Sequence, residues 1–140
     1  MINKIILISG PTATGKSSLA LKIAKKIDSE IINADSIQLY KDLSILTARP
    51  LVERETIKHH LYGLLNGDIK WSVGKWLQET KVLIQNIIEK RKIPIIVGGT
   101  GLYFKAITDG LSPIPDIDHL VRDKLNDLLL KEGLESLYLD

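Results

Sequence analysis

There is no cysteine among the 140 residues. That absence removes a disulfide framework, a thiolate zinc site and a cysteine nucleophile from consideration. A strong charge of one sign is missing too, with 19 Lys and Arg against 17 Asp and Glu, a formal net charge of +2. Such a balance accommodates a nucleic-acid partner without arguing for one. Long hydrophobic runs are also lacking. The opening segment, MINKIILISG, is too short to span a bilayer, stops at Gly10-Pro11 and offers no small-residue cleavage site, so a cytoplasmic protein with no membrane partner is expected. Neither an internal repeat nor a low-complexity tract occurs. What remains is an ordinary globular composition, 44% hydrophobic and 26% charged, on a chain long enough for one domain with its own core.

The apolar pattern alternates between short runs and helical periods. Lys4 to Ser9 (KIILIS) reads as a fully buried, parallel strand, and Glu30 to Ala34 (EIINA) and Ile93 to Val97 (IPIIV) as two more. Between the first two, Leu19, Ala20, Ile23, Ala24 and Ile27 recur at helical spacing. Before the third, Trp76, Thr80, Leu83, Ile84, Ile87, Ile88 and Arg91 line one side of a helix that Ser72 caps. Leu102 to Thr108 starts another helix, and Asp118 caps a last one over Leu120 to Lys131, stopped at Gly133. Asp42 to Gly67 has no clean period and reads as loops with short helical pieces. Strands alternating with helices define an open parallel α/β sheet. Ligands bind outside the carboxyl ends of such strands, which here selects Gly10 to Ser17, Asp35-Ser36 and Gly98 to Thr100.

The first of these spots carries the strongest chemical signal. Gly10, Gly15, Lys16 and Ser17 complete the pattern G-x-x-x-x-G-K-[ST] across Gly10, Pro11, Thr12, Ala13, Thr14, Gly15, Lys16 and Ser17. In this P-loop the glycines let backbone N–H groups converge on phosphate oxygens, the lysine adds a mobile charge, and the hydroxyl at Ser17 suits Mg²⁺. The loop alone does not tell a nucleotide such as ATP from a bare diphosphate. Asp35, at the tip of the second strand, fits a general base, a water-mediated Mg²⁺ ligand or a cap of the next turn. Ser36 and Gln38 are polar companions, and the Thr100 hydroxyl either touches a reacting group or caps the helix after it. His59-His60 is not a metal site, since adjacent residues face differently and no nearby ligand has a suitable spacing. Trp71 and Trp76 among lysines raise nucleic-acid stacking, although Trp76 is more simply a core residue of an amphipathic helix.

Together the segments GPTATGKSSLALKIA, EIINADSIQLYKDL, TARP, HHL, IPIIVGGTGLYFKAI and GLSPIP followed by Arg122 resemble the tRNA dimethylallyltransferase (tRNA isopentenyltransferase) family, in order, from Ile5 to about Leu137. The resemblance implies a P-loop NTPase-like α/β fold whose loop holds the diphosphate of dimethylallyl diphosphate, with Mg²⁺. It implies transfer of the prenyl group to the exocyclic N6 amine of the adenosine 3′ of the anticodon, in tRNAs reading codons that begin with U. Position by position, Asp35 resembles the general base and Thr100 a partner of the reacting centre and of tRNA. Residues Asp35, Ser36, Ile37 and Gln38 would face the flipped adenosine, and Arg122 matches a tRNA-contacting position.

The chain departs from the family pattern in a few places. Asp42, Ser44 and Leu46 stand where the family usually has Gly, Asp and Gly, and Gly63 stands for a usual Asp after HHL. Were a positive φ required at either glycine position, Asp42 or Leu46 would strain the loop. Members of the family are about twice as long. The resemblance therefore implies an N-terminal portion: a catalytic core over 1–112, incomplete at its C-terminal side, and the start of a helical tRNA-binding insertion over 113–140. A second chain supplying the rest, a catalytically inactive fragment, and adenylate dimethylallyltransferase acting on a free nucleotide stand as alternatives.

Overall fold

The computed structural model describes residues 4–49, 56–113 and 117–138. Pro50 of TARP and Ile114-Pro115 of GLSPIP lie outside the described residues. Four parallel strands form one sheet: β1 (Ile6–Ser9), β2 (Ser29–Asn33), β3 (His59–His60) and β4 (Ile93–Gly98), in the order β1-β4-β2-β3. The helices are α1 (Lys16–Ala24), α2 (Val73–Glu89), α3 (Gly101–Asp109) and α4 (His119–Glu132), followed by a 3₁₀ turn over Leu134–Tyr138. Among the described residues no helix is long and apolar enough to cross a membrane.

Strand periodicity decides how the layers pack. Successive side chains point to opposite faces, so Ile31 and Ile95 turn to one side of the sheet and Ile32 and Ile96 to the other. The first face packs Ala20 and Ala24 of α1, small residues that let the helix approach closely. The second face receives Trp76, Leu77 and Ile87 of α2 with Tyr103 and Ala106 of α3. Trp76 is fully buried and stacks on Tyr103, ring centroids 4.2 Å apart and 11° from parallel. Both faces of β2 and β4 are thus covered, which is why those segments read as unbroken apolar runs.

Local capping follows the sequence. Ser72 accepts a hydrogen bond from the backbone N–H of Lys75 at 3.2 Å, and Asp118 from that of Leu120 at 3.0 Å. Two expectations are corrected. β1 is only half-buried, with Leu7 42% exposed, and among the described residues no strand pairs with its outer edge. The stretch Asp42 to Gly67, read as loops with short helical pieces, contains β3, which pairs with β2 through Ile31–His59 and Ile32–His60. Two residues are too few to show a period. α4 buries none of its side chains, leaving Leu120 and Leu130 exposed.

The two histidines have structural partners. His59 donates its Nδ1–H to the Ile57 carbonyl at 2.7 Å, and His60 donates Nε2–H to Glu30 Oε2 at 2.7 Å. The Glu30 side chain is 3% exposed, with Lys92 Nζ at 3.4 Å and Lys90 Nζ at 3.9 Å from its other oxygen. Burial raises the Glu30 pKa, but the His60 hydrogen bond and the Lys90 charge outweigh it and hold the carboxyl below its ordinary range. Burial also holds the His60 imidazole below its ordinary value, against the pull of Glu30. Both folded-state pKa values lie below the unfolded ones, so the unfolded chain binds these protons more readily. The stabilisation is complete above pH about 6.5, declines as unfolded His60 protonates, and declines again below pH about 4.3 through Glu30. Urea midpoints measured from pH 8 to pH 5 should therefore fall with acidification, and His60→Gln should flatten that fall; an unchanged pH slope in the variant would contradict this account.

Candidate active site

The loop between β1 and α1 contains two residues of left-handed backbone conformation. Gly15, the residue before α1, has φ 82°, a left-handed conformation that glycine adopts without a Cβ penalty. Ala13 also takes a positive φ, 64°, at a cost of about 1 kcal/mol for a residue with a Cβ. The Thr14 hydroxyl donates to the Pro11 carbonyl at 2.8 Å, and Lys16 Nζ donates to the same oxygen. The lysine thus rests on the loop it would leave when a phosphate offers a stronger, charged acceptor.

The second spot is built around Asn33, the last residue of β2 and fully buried. Its Oδ1 accepts from the Asp35 N–H at 2.9 Å, while Nδ2 donates to the carbonyls of Asp35 and Leu61, both at 2.9 Å. The Asn33 carbonyl accepts from the Trp76 indole at 2.9 Å. These bonds fix the backbone of Asp35 from both sides. One carboxylate oxygen of Asp35 accepts from the Ile37 N–H at 3.0 Å, an Asx turn, so the carboxylate caps a turn and still reaches the cleft. The turn following β4 packs directly against it. Ala34 donates to the Val97 carbonyl at 2.8 Å, and the Thr100 N–H donates to the Ala34 carbonyl at 3.1 Å. A Cβ on Gly98 would collide with the Ala34 carbonyl group and come within 2.7 Å of the Asp35 nitrogen.

Thr100 precedes α3 but makes no capping bond with its side chain. Its hydroxyl instead accepts from the Ser36 N–H at 2.9 Å and donates to Ser36 Oγ at 3.3 Å, tying the GGT turn to the segment after Asp35. Of the two roles open to Thr100, capping is therefore not the one its hydroxyl plays. The Gln38 amide donates to the Thr47 carbonyl at 2.9 Å, and Ile37 is 53% exposed.

Thr12, Ala13, Gly15, Lys16 and Ser17 line one cleft of about 320 Å³ together with Asp35 and Gln38. The phosphate loop and the carboxylate, 18 residues or more apart in the chain, face a common space. Arg122 does not join them; it lines a separate cleft with Lys70 and Trp71. The wall completing the first cleft escaped the sequence reading. Tyr62 follows β3, and Thr47 and Ala48, quoted above only as part of the TARP match and with no role, come from the segment between β2 and β3. Burial, and then the Asp35 charge, push the Tyr62 hydroxyl upward, so it stays protonated and available as a donor. The aromatic directly after HHL was its only signal.

The departures from the family pattern can now be placed. Neither Asp42 nor Leu46 has a positive φ; the left-handed residue of that segment is Ala48, with φ 49°. Gly63 does, with φ 57°, and a Cβ there would collide with the Arg49 guanidinium. Arg49 lies against it and donates to the carbonyls of Tyr40 and Lys41 at 2.9 and 3.3 Å.

A strand, a phosphate-loop motif and a helix, with a carboxylate at the tip of a nearby parallel strand, define a P-loop α/β protein. A family model described as IPP transferase matches residues 38–140, and the chain belongs to that family. It is 57% identical over 137 residues to a tRNA dimethylallyltransferase of Pelagibacter ubique, covering 97% of this chain and 44% of the relative. A second tRNA dimethylallyltransferase, of Rhizobium rhizogenes, is 50% identical over 95% of this chain and 45% of its own length. Among solved structures, the tRNA isopentenylpyrophosphate transferase of Bacillus halodurans superposes with a TM-score of 0.76 at 31% identity, over 96% of this chain and 45% of that one. A eukaryotic dimethylallyltransferase acting on tRNA also superposes at 0.76, with 32% identity over 93% of this chain and 36% of that one. The chain spans less than half the length of these relatives.

Gly98→Ala should displace Ala34 and Asp35 or unfold the domain. A loss of roughly 3 kcal/mol in urea unfolding is expected, because backbone rather than a flexible side chain must yield. A variant of unchanged stability would show that this close approach is not a constraint.

Proposed function

We propose that the chain carries the donor site and the base of a tRNA prenyl transfer, in which dimethylallyl diphosphate alkylates the N6 amine of the adenosine 3′ of the anticodon. One observation supports this above the others: the phosphate loop and the Asp35 carboxylate face the same cleft. The amine nitrogen attacks C1 of the dimethylallyl group, the C1–O bond breaks, and diphosphate leaves with the bonding electrons. The N–H amides of the loop and Lys16 stabilise the charge that builds on the leaving group. Asp35, held by Asn33 with one oxygen on Ile37, accepts the proton lost by the amine. Ser36 and Thr100, bonded to each other next to Asp35, and Ile37 and Gln38 after them would meet the acceptor in this reading, although of these four only Gln38 lines the phosphate cleft. Oxygen donors suit a hard cation; Ser17, in the same cleft as Asp35, would hold Mg²⁺ on the diphosphate, where it supplies further charge neutralisation. Arg122 and the segment from residue 113 onward belong to the tRNA-binding side of this reading.

A second reading is favoured by the outer edge of β1, which no strand pairs among the described residues, and by α4, which buries none of its side chains. In it the isolated chain binds diphosphate and does not turn over, and the rest of the site comes from the additional length that the relatives possess. The two readings separate in one assay. Purified chain with dimethylallyl diphosphate, Mg²⁺ and unmodified tRNA reading U-initial codons should release pyrophosphate in proportion to tRNA; a folded chain that binds diphosphate and releases none is the fragment. Where release occurs, Asp35→Ala should lower it by about two orders of magnitude or more while diphosphate affinity changes little. Lost diphosphate binding would instead make Asp35 a metal or structural residue.

A further inference from the structure

Tyr62 sits in a turn that is strained and also pinned. Leu61 before it and Gly63 after it both take a positive φ, 61° and 57°. For a leucine that conformation is costly, and it persists only where surrounding bonds over-determine the backbone. Here they do. The Leu61 carbonyl accepts from Asn33 Nδ2 at 2.9 Å, and the Gly63 N–H donates to the Gln38 carbonyl at 3.0 Å. Between these anchors the Tyr62 ring packs against the cluster that holds Ala20, Ile31 and Val97. It meets the His59 ring edge-on, centroids 5.6 Å apart. Ser17, Ala48, Tyr62 and Val97 line both the phosphate cleft and a neighbouring recess of about 250 Å³, which Ala20 and Leu21 help to form. Tyr62 therefore stands at the partition between a polar space and a more apolar one.

The ring is held by packing; the hydroxyl is uncommitted. It has no hydrogen-bond partner among the described residues and is not sealed from solvent. Burial, and then the Asp35 charge, keep it protonated, so it is a donor. The Gln38 amide in the same cleft is already spent on the Thr47 carbonyl. We propose that Tyr62 is a further diphosphate-binding residue, whose hydroxyl donates a hydrogen bond to the diphosphate in the phosphate cleft. The inference rests on the reading of that cleft given above and adds to it a side chain from outside the phosphate loop. A neutral donor suits the position. A second cation beside Asp35 would pair with it and lower its affinity for a proton, whereas a phenol serves the anion and leaves the carboxylate basic. As the C1–O bond breaks, its electrons pass to the diphosphate. The hydrogen bond strengthens with that charge, and the proton stays on Tyr62.

The test is calorimetric titration of the purified chain with pyrophosphate in the presence of Mg²⁺, with urea midpoints measured alongside. Tyr62→Phe keeps the ring and removes a hydroxyl that bonds to nothing in the protein. It should leave the urea midpoint unchanged and weaken pyrophosphate binding about tenfold, the loss expected for one hydrogen bond to a charged acceptor. Wild-type affinity in Tyr62→Phe overturns the role of the hydroxyl and leaves the phosphate cleft standing. Weaker binding accompanied by a lower midpoint makes Tyr62 a packing residue and overturns the inference as well. A folded wild type that binds no pyrophosphate overturns both this inference and the reading on which it rests.

Discussion

The carboxamide of Asn33 is the joint on which the candidate site depends. Where β2 ends, a buried backbone loses its ladder partners, and each unpaired polar group there costs about 1–3 kcal/mol. Asn33 meets that need with a side chain that both donates and accepts, bonding Asp35 at its N–H and its carbonyl and reaching the Leu61 carbonyl beyond β3. Its own carbonyl takes the Trp76 indole. One residue thereby links the sheet, the long segment after β2 and the helix on the far face. An aspartate at this position could accept but not donate, and the carbonyls of Asp35 and Leu61 would lose their shared donor. The carboxylate of Asp35 is oriented less by its own contacts than by the backbone this amide holds.

Around that joint the phosphate loop is prepared rather than assembled on demand. Gly15 supplies the turn at no steric cost, while Ala13 holds a left-handed conformation that an L-residue adopts at a penalty. Strain of this kind persists only where surrounding bonds over-determine the backbone, and Pro11 receives two of them, from Thr14 and Lys16. The Lys16 bond to a neutral carbonyl is weaker than one to a charged phosphate oxygen. The loop is thus held by its own internal bonds, with Lys16 on a neutral acceptor.

How much of this was legible depended on whether the signal was local. The strands β2 and β4, the helices, the Ser72 and Asp118 caps and the phosphate loop are written in short runs, and each stands within a residue or two of its expected place except the end of α1, which stops at Ala24, three residues before Ile27. The order β1-β4-β2-β3 is not local; nothing in IPIIV says that it inserts between the first two strands. Neither is burial. β1 has the composition of a central strand, yet its exposure is set by what lies on its outer edge. The role of Asn33 was hidden for a related reason, since inside EIINA it reads only as one residue of a strand until Leu61 and Trp76 are brought beside it. The two tryptophans show the same limit: at similar sequence settings, one closes the core and the other lines a basic cleft.

The segment between β2 and β3 shows how a departure from a family pattern is absorbed. A lone Leu or Asp in place of Gly matters only where φ is positive, and here the left-handed turn falls on Ala48 instead. At Gly63 the φ is positive, so the loss of an aspartate side chain relieves the backbone. The space that side chain would fill is taken by the Arg49 guanidinium, which finds two carbonyl acceptors in place of a carboxylate. Arg49 is thus a charged donor on neutral acceptors. Because Thr47 and Ala48 stand in the wall of the phosphate cleft and Arg49 bonds to Tyr40 and Lys41, Arg49 bears on the site by fastening that wall.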